Sequence, residues 1–330
     1  MANLVKVLSI DGGGIRGIIP AMVLSEMEKR TGKRICQLFD LIAGTSTGGI
    51  LALGLTKQAP NRSGLPEYWA KDLVDLYENE GRDVFPRSIE DLLPFDNIFE
   101  ERYPSDGIET LLEKYCGDAR LKDSLTPVMI TSYETERRLP FFFRSERAKN
   151  DPSYDFPIGQ VARATSAAPT YFEPLRIDIE GSSDYYSLID GGVFANNPAM
   201  CAYAEVRSGN LKDVHPKSDI LLVSLGTGEL TRRLAHNEIK GWGLANWAQP
   251  ILNVVFDGVN DTVEYQLQQL LPRKRKEPRY YRFQVRLNEE NENMDDADPE
   301  NIRALKLLAE DLIRNSRESL DILSEQLTRK

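Results

Sequence analysis

The stretch from residue 39 to 55, FDLIAGTSTGGILALGL, constrains the fold of this chain most strongly. Its first residues predict a buried strand, and its last six predict a buried helix. The turn between them has the GxSxG spacing of a nucleophile elbow, with Gly44 and Gly48 on either side of Ser46. In so sharp a turn, glycines avoid side-chain collisions and the serine hydroxyl projects above the sheet. An ordinary strand–turn–helix with a surface serine is the alternative interpretation.

A second glycine-rich turn follows an apolar strand predicted for residues 4–10. Its sequence is DGGGIRG, in which Gly12, Gly13 and Gly14 are consecutive and Arg16 follows closely. Consecutive glycines let backbone N–H groups converge on one oxygen atom, and the next helix adds positive potential. Three functions stay open for this turn: a nucleotide pyrophosphate loop, a phosphate loop of the actin and sugar-kinase type, and an oxyanion hole. A turn without chemistry is the fourth interpretation.

A third turn, Asp190-Gly191-Gly192, follows a strand predicted for residues 185–189. A carboxylate at a strand end, beside backbone N–H groups, is well placed to act as a base. An Asp-Gly turn without chemistry is common and is the alternative. Because all three turns follow apolar strands, we expect them at strand ends of one α/β sheet, where ligand sites gather.

Further strands and helices are predicted in the rest of the chain. A helix is predicted to begin at Asp298-Pro299, since Asp caps helices and Pro suits a first turn. Residues 58–66 are rich in turn formers and predict a loop. Further strands are predicted at residues 126–134, 139–146 and 220–229, and a small-residue helix at 158–168.

Composition narrows the class of function. The net charge of −10 argues against nucleic acid polymers as partners, because phosphate contacts need clustered Lys and Arg. Cys36, Cys116 and Cys201 are odd in number and scattered, which favours reduced thiols, and no metal-ligand spacing is present. No signal peptide and no apolar run of about 20 residues is found. We therefore expect a cytoplasmic protein that contacts membranes only transiently.

Three other segments have two interpretations each. Residues 67–125 predict either an irregular lid or helices packed over one sheet face. Trp242 and Trp247, near the start of a helix predicted for 242–271, suit either a lipid-facing edge or the core. The basic run 273–276 predicts either a solvated turn or a phospholipid headgroup contact.

The three turns together resemble the pattern of the patatin-like phospholipase family, which has a GGGxRG loop, a GxSxG elbow and a DG[GA] turn. ATSAAPTYFEP at 164–174 and NNPA at 196–199 also resemble family blocks. The resemblance covers about residues 5–228 and implies a three-layer α/β/α fold with a central, mostly parallel sheet. We expect one domain over residues 1–330, with a C-terminal helical extension at 229–330.

The resemblance also implies a phospholipase A-type hydrolase of membrane glycerolipids, with a Ser–Asp dyad and an acyl-enzyme. Ser46 would attack the ester carbonyl, and Asp190 would take its proton. The implied oxyanion hole lies in the glycine loop, and no metal or organic cofactor is implied. The implied site comprises the pair Ser46 and Asp190, the oxyanion loop with Gly12, Gly13, Gly14 and Arg16, the elbow glycines Gly44 and Gly48, and the turn glycines Gly191 and Gly192.

Three hypotheses compete with or extend this interpretation. An α/β-hydrolase with a Ser–Asp–His triad would use His215 or His236, which both follow Asp190 and lie in polar segments. An actin or sugar-kinase-type ATPase would use the glycine turns for phosphate and would give Ser46 no role. Some bacterial patatin-like enzymes are activated by cyclic nucleotides in anti-phage defence, so a cyclic-nucleotide activator is a further hypothesis.

Overall fold

The computed structural model describes residues 4–85, 103–179, 182–230, 234–247, 250–272 and 277–329. The strands are β1 Leu4–Ile10, β2 Leu41–Thr45, β3 Gln58–Ala59, β4 Arg62–Pro66, β5 Val128–Glu134, β6 Leu139–Arg144, β7 Leu175–Asp178, β8 Tyr185–Asp190, β9 Asp219–Leu225 and β10 Tyr280–Phe283. The helices are α1 Ile18–Thr31, α2 Thr47–Thr56, α3 Ala70–Val84, α4 Asp106–Cys116, α5 Ser145–Asn150, α6 Ile158–Thr165, α7 Gly192–Ala195, α8 Ala199–Ser208, α9 His236–Ile239, α10 Leu244–Trp247, α11 Pro250–Leu270, α12 Pro299–Asn315 and α13 Arg317–Thr328.

One mixed sheet forms the centre of the molecule, with strand order β10-β9-β1-β2-β5-β8-β7. The pairs from β10 to β5 are all parallel. The far end is antiparallel, because β8 pairs antiparallel with β5 and β7 with β8, and β6 pairs antiparallel with β5. The sheet is therefore mostly parallel in its core, with an antiparallel end.

Side chains alternate between the two faces of the sheet, and helices cover both faces. Val7 of β1 packs in a core cluster with residues of α8 and α11. Its neighbour Leu8 packs in a larger cluster with residues of α1, α2, α3, α4, α6, α12 and α13. Since successive residues of a strand point to opposite faces, these clusters lie on opposite sides of the sheet. The predicted three-layer α/β/α fold is confirmed.

The C-terminal third of the chain adds to each of these layers. The strand β10 extends the sheet beside β9, and α12 and α13 pack on α1. Asp298 occupies the N-cap position of α12 and Pro299 lies in its first turn, as predicted. Residues 229–330 therefore supply a sheet strand as well as helices, while the single domain over 1–330 stays a prediction.

The structure describes only parts of the segments for which the sequence left two interpretations open. Within 67–125, α3 and α4 pack against α1 and α6, which matches packing over one sheet face; residues 86–102 lie outside the described residues, as does the basic run 273–276. Residues 58–66 form the hairpin β3–β4, so the loop prediction was wrong there. None of the helices in the described ranges has the length and apolar character needed to cross a membrane.

Candidate active site

Ser46 occupies a strained turn between β2 and α2. Its φ is 54° and its ψ is −126°, a backbone conformation that residues with a Cβ atom rarely adopt. A Cβ atom added at Gly44 would lie closer than 3.0 Å to the carbonyl oxygen of Gly48, and one at Gly48 would lie that close to the carbonyl oxygen of Ile10. The elbow predicted from the GxSxG spacing is therefore present, and its two glycines are required by close backbone approach.

A threonine at the end of α6 supports this turn. Thr165 Oγ1 accepts a hydrogen bond from the Ser46 N–H over 2.8 Å, and it donates to the Thr131 carbonyl oxygen over 2.6 Å. Thr165 is fully buried. Its hydroxyl thus connects the backbone of the elbow to the neighbouring strand β5 and helps hold Ser46 in its strained conformation.

Asp190 approaches Ser46 because two strands meet end to end. The edge of β5 that does not face β6 pairs first with β2 and then with β8. The last residue of β2, Thr45, pairs with Thr131, and the last residue of β8, Asp190, pairs with the adjacent Ser132. The ends of β2 and β8 therefore converge on the same edge of β5. They approach from opposite directions, because β2 is parallel to β5 and β8 is antiparallel to it.

The Asp190 carboxyl is buried and interacts with Ser46. Burial raises the pKa of Asp190 to about 6, whereas hydrogen bonds from the Ser46 side chain and the Gly192 amide lower it. The Gly192 N–H donates to Asp190 Oδ1 over 2.7 Å. A carboxylate whose pKa lies close to neutrality is a better base than an ordinary aspartate, and it is still ionised at pH 7.

The glycine loop borders Ser46, and Asn196 Oδ1 lies within 4 Å of the added Cβ positions of both Gly12 in this loop and Gly192 in the Asp190 turn. An added Cβ atom at Gly12 would lie 3.2 Å from Ser46 Cβ, and one at Gly192 would lie 3.2 Å from Asp190 Oδ1. Gly191 is equally constrained, because its added Cβ atom would collide with the Thr131 side chain. The three sequence motifs therefore meet in one place.

Within the glycine loop the amides differ in availability. The Gly12 N–H donates to the Asn196 carbonyl oxygen over 3.0 Å, so the predicted oxyanion role does not suit Gly12. Among the hydrogen bonds of the described residues, the amides of Gly13 and Gly14 make none. A Cβ atom at Gly13 would collide with the Thr227 side chain. Gly13 and Gly14 are thus the candidate oxyanion donors of this loop.

Arg16 is buried beside the loop and binds backbone oxygens. Its Nε donates to the Gly13 carbonyl oxygen over 3.3 Å, and its Nη1 donates to the Glu292 carbonyl oxygen over 3.4 Å. Burial lowers the pKa of Arg16 to about 10, so the guanidinium is still charged near neutral pH. These contacts attach the loop to the C-terminal segment, while a direct contact of Arg16 with an oxyanion stays a prediction.

Comparison with known proteins identifies the family of this chain. A family model described as patatin-like phospholipase matches residues 8–203. The chain belongs to the patatin-like phospholipase family. Patatin-like protein 2 of Arabidopsis thaliana is 35% identical over 345 aligned residues, which cover 94% of this chain and 83% of that protein. Patatin-T5 of Solanum tuberosum is 30% identical, over 96% of this chain and 85% of that protein. Membership of this family supports a lipid ester hydrolase.

Solved structures resemble the chain distantly. VipD from Legionella pneumophila has a TM-score of 0.33 and 12% identity, over 93% of this chain and 67% of that chain. The type III effector protein ExoU has a TM-score of 0.37 and 12% identity, over 99% of this chain and 54% of that chain. The family assignment rests on the sequence relatives.

Both histidines are exposed, as their polar surroundings predict. His215 precedes β9, so it lies at the amino end of the parallel strands, whereas Ser46 lies at their carboxyl end. His215 Nδ1 accepts a hydrogen bond from the Lys217 N–H over 3.1 Å. His236 begins α9 after the carboxyl end of β9, and no hydrogen bond from it to Asp190 occurs among the described residues.

Sequence reasoning missed several residues that support the site. Thr165 and Asn196 lie inside blocks that resemble the family, but no local pattern indicates their contacts with Ser46 and Gly12. Ser166 is a conceivable second nucleophile by residue type, but it is buried next to Thr165 in an unstrained backbone conformation. The available signal was a polar residue within the predicted helix of small residues.

Proposed function

We propose that the protein is a phospholipase A-type lipid acyl hydrolase that uses Ser46 as nucleophile and Asp190 as general base. The observation that carries this proposal is the end-to-end meeting of β2 and β8, which brings a strained serine against a buried carboxyl. Family membership supports the lipid ester as substrate.

The proposed reaction has two stages. Ser46 Oγ attacks the ester carbonyl carbon while Asp190 takes its proton, and the tetrahedral intermediate collapses to an acyl-serine. The departing alcohol, a lysolipid when the substrate is a phospholipid, leaves with the proton from Asp190. Water then attacks the acyl-serine with Asp190 as base, and the fatty acid leaves as Ser46 Oγ regains a proton.

The amides of Gly13 and Gly14 are the proposed donors to the oxyanion. They lie in the loop that borders Ser46, and the described residues offer them no other acceptor. Preorganised amides of this kind supply the largest share of catalysis in acyl transfer, and loss of one donor costs roughly 100–1,000-fold in kcat. The first amides of α2, next to Ser46, add positive potential.

Two alternatives from the sequence lose support. The exposed positions of His215 and His236 do not suit the third member of a buried triad. A kinase-type ATPase leaves the strained backbone of Ser46 without a role, whereas an acyl hydrolase uses it.

The experiment that tests the proposed function is lipid analysis of hydrolysed membrane extract by mass spectrometry. The native protein is expected to release fatty acids and lysolipids, and Ser46→Ala is expected to release neither while keeping its thermal unfolding temperature. Equal release by Ser46→Ala would overturn the proposal.

An exposed apolar face on α11 is the proposed contact with the bilayer surface. Ile251, Val254 and Val255 fall at i, i+3 and i+4, and are 43%, 44% and 42% exposed. The helix packs against α7, which follows Asp190. Trp242 and Trp247 lie just before α11, half-buried, with ring centroids 5.3 Å apart. Exposed apolar patches of this kind mark interaction sites.

Vesicle sedimentation tests this contact. Val254→Asp is expected to weaken binding to phosphatidylcholine vesicles by about tenfold, because a charge enters the apolar face. The matched control is Leu307→Asp on α12, which is also exposed but belongs to the opposite helical layer. Equal binding by the two variants would contradict the proposed surface.

Activation by a cyclic nucleotide stays a prediction. Under this hypothesis, the protein alone hydrolyses phospholipid slowly, and the rate rises strongly when the matching nucleotide is added. Full activity of the purified protein without a nucleotide would contradict it.

A further inference from the structure

We propose that Arg282 is a positioning residue that acts through Asp11 on the glycine loop. The inference rests on the proposed function, because it takes the loop as the oxyanion site. Asp11 directly precedes Gly12, whereas Arg282 lies in β10, 271 residues further along the chain. The Arg282 Nη2 donates to Asp11 Oδ2 over 2.6 Å.

This ion pair is almost completely shielded from water. The exposed fractions of the Arg282 and Asp11 side chains are 9% and 1%. Burial raises the pKa of Asp11 to about 6, and the charge and hydrogen bond of Arg282 lower it. Because desolvation offsets most of the attraction, a buried pair is often no more stable than an apolar pair of similar volume. A gain in stability therefore does not explain why Asp11 and Arg282 form a buried ion pair. The position of the pair beside the glycine loop suggests that it holds the loop in place.

Arg282 connects Asp11 to the sheet. Its Nη1 donates to Ser224 Oγ over 2.8 Å. Ser224 of β9 lies in register with Arg282 on one side and with Ser9 of β1 on the other. One guanidinium group thus joins β10 and β9 to the residue at which β1 leaves the sheet and enters the loop.

The backbone of the loop is anchored at the same point. The Asp11 N–H donates to the Leu225 carbonyl oxygen over 3.0 Å, and Thr227 Oγ1 donates to the Gly12 carbonyl oxygen over 2.5 Å. The Gly13 and Gly14 amides come next along the chain. Their direction depends on how Asp11 and Gly12 are held, because glycine itself restricts the backbone least.

Loss of Arg282 would leave a buried carboxylate without its counter-charge and free the start of the loop to shift. A displacement of about 1 Å in a catalytic group costs roughly 100-fold in rate. Because the oxyanion exists only in the transition state and the intermediates, this loss falls on kcat and leaves KM nearly unchanged.

The test measures kcat and KM of the full-length protein with a p-nitrophenyl ester of a medium-chain fatty acid. The variants are Arg282→Gln, Arg282→Lys, Asp11→Asn and the double variant Asp11→Asn/Arg282→Gln. The control is Arg120→Gln, because Arg120 Nε also binds a buried carboxylate, Asp155, over 2.6 Å, although Arg120 is more exposed than Arg282 and Lys122 binds Asp155 as well. That pair lies before α6, at the helix end remote from Thr165.

The inference predicts that Arg282→Gln and Asp11→Asn each lower kcat by about 100-fold and change KM by less than about threefold. The kcat of the double variant is expected to be no lower than that of the less active single variant, because both changes break the same ion pair. Arg282→Lys, which keeps the charge, is expected to regain at least about tenfold, and Arg120→Gln to stay near the native kcat.

Several results would overturn the inference: a native kcat in Arg282→Gln, a loss confined to KM, or single losses that multiply in the double variant. If Arg282→Gln does not fold, the double variant decides, since two neutral amides replace the ion pair; a kcat about 100-fold below native supports the inference, and a native kcat overturns it. A native protein without esterase activity would instead overturn the proposed function.

Discussion

Ser46 and Asp190 belong to strand ends that converge on one edge of β5, where Thr45 pairs with Thr131 and Asp190 with Ser132. The parallel strand β2 delivers the serine, and the antiparallel strand β8 delivers the carboxyl from the opposite direction. The approach of Ser46 to Asp190 does not depend on a flexible loop, because regular sheet pairing fixes the positions of both strand ends.

Hydrolysis is expected to depend on the ionisation of Asp190. Because a general base must be unprotonated and the pKa of Asp190 is about 6, kcat/KM for a soluble ester should fall about tenfold from pH 7 to pH 5. The pKa of Asp11 is also about 6, so the profile is repeated with Asp11→Asn, in which the inflection should persist. A rate independent of pH between 5 and 8 would rule out this assignment.

Asp190→Asn is expected to stabilise the fold at alkaline pH. The pKa of Asp190 is raised by folding from 3.8 to about 6, so its stabilising contribution is complete below pH 3.8 and is lost as pH rises through 6. The difference corresponds to at most about 3 kcal/mol. The variant should therefore exceed the native free energy of unfolding at pH 8, with a smaller excess at pH 4.5.

Urea unfolding at both pH values measures this difference. Asp311→Asn, at an exposed carboxylate of α12, serves as the control and should change little at either pH. An Asp190→Asn protein that is less stable than the native protein at pH 8 would show that the carboxyl is not penalised by burial.

Thr165→Val is expected to disturb the elbow. It leaves the part-buried Ser46 N–H without its acceptor, which costs about 1 kcal/mol or more, and it should lower kcat by about tenfold because Ser46 is less well held. Thr165→Ser keeps the hydroxyl and should retain most of the activity. The comparison uses steady-state kinetics and thermal unfolding, and equal kcat in the two variants would contradict the role of this hydroxyl.

Gly44→Ala is expected to destabilise the protein by about 3 kcal/mol or more, since its Cβ atom would meet backbone atoms of Gly48 that cannot move independently. Gly258→Ala is the matched control. Gly258 lies inside α11 with no atom near its added Cβ position, so alanine should stabilise the helix by about 0.5–1 kcal/mol. Urea unfolding that ranks the two variants in the opposite order would contradict the steric role of Gly44.

The turn motifs were predictable because each is local: glycine spacing and a preceding apolar strand are visible in a few consecutive residues. The three-layer fold was implied by the family resemblance that these motifs carry. The antiparallel direction of β8 was not predictable from these motifs, because an apolar strand has the same alternation in either direction. Convergence of Ser46 and Asp190 at strand ends of one sheet was thus expected, and the structure achieves it with one parallel and one antiparallel strand.

Long-range contacts account for the rest of what the sequence did not indicate. The bond from Gly12 to Asn196 and the ion pair of Asp11 with Arg282 each join segments far apart in the chain. Local propensity contains no signal for such contacts. The hairpin at residues 58–66 was missed for a different reason, since its turn formers were visible but its short strands were not.

The measurement that tests the central claim most directly is covalent labelling by a fluorophosphonate, located by peptide mass spectrometry. We predict that the native protein is labelled at Ser46, that Ser46→Ala is unlabelled, and that Asp190→Asn reacts at least about 100-fold more slowly. A label on another residue, or native-rate labelling of Asp190→Asn, would contradict the proposed serine and its base.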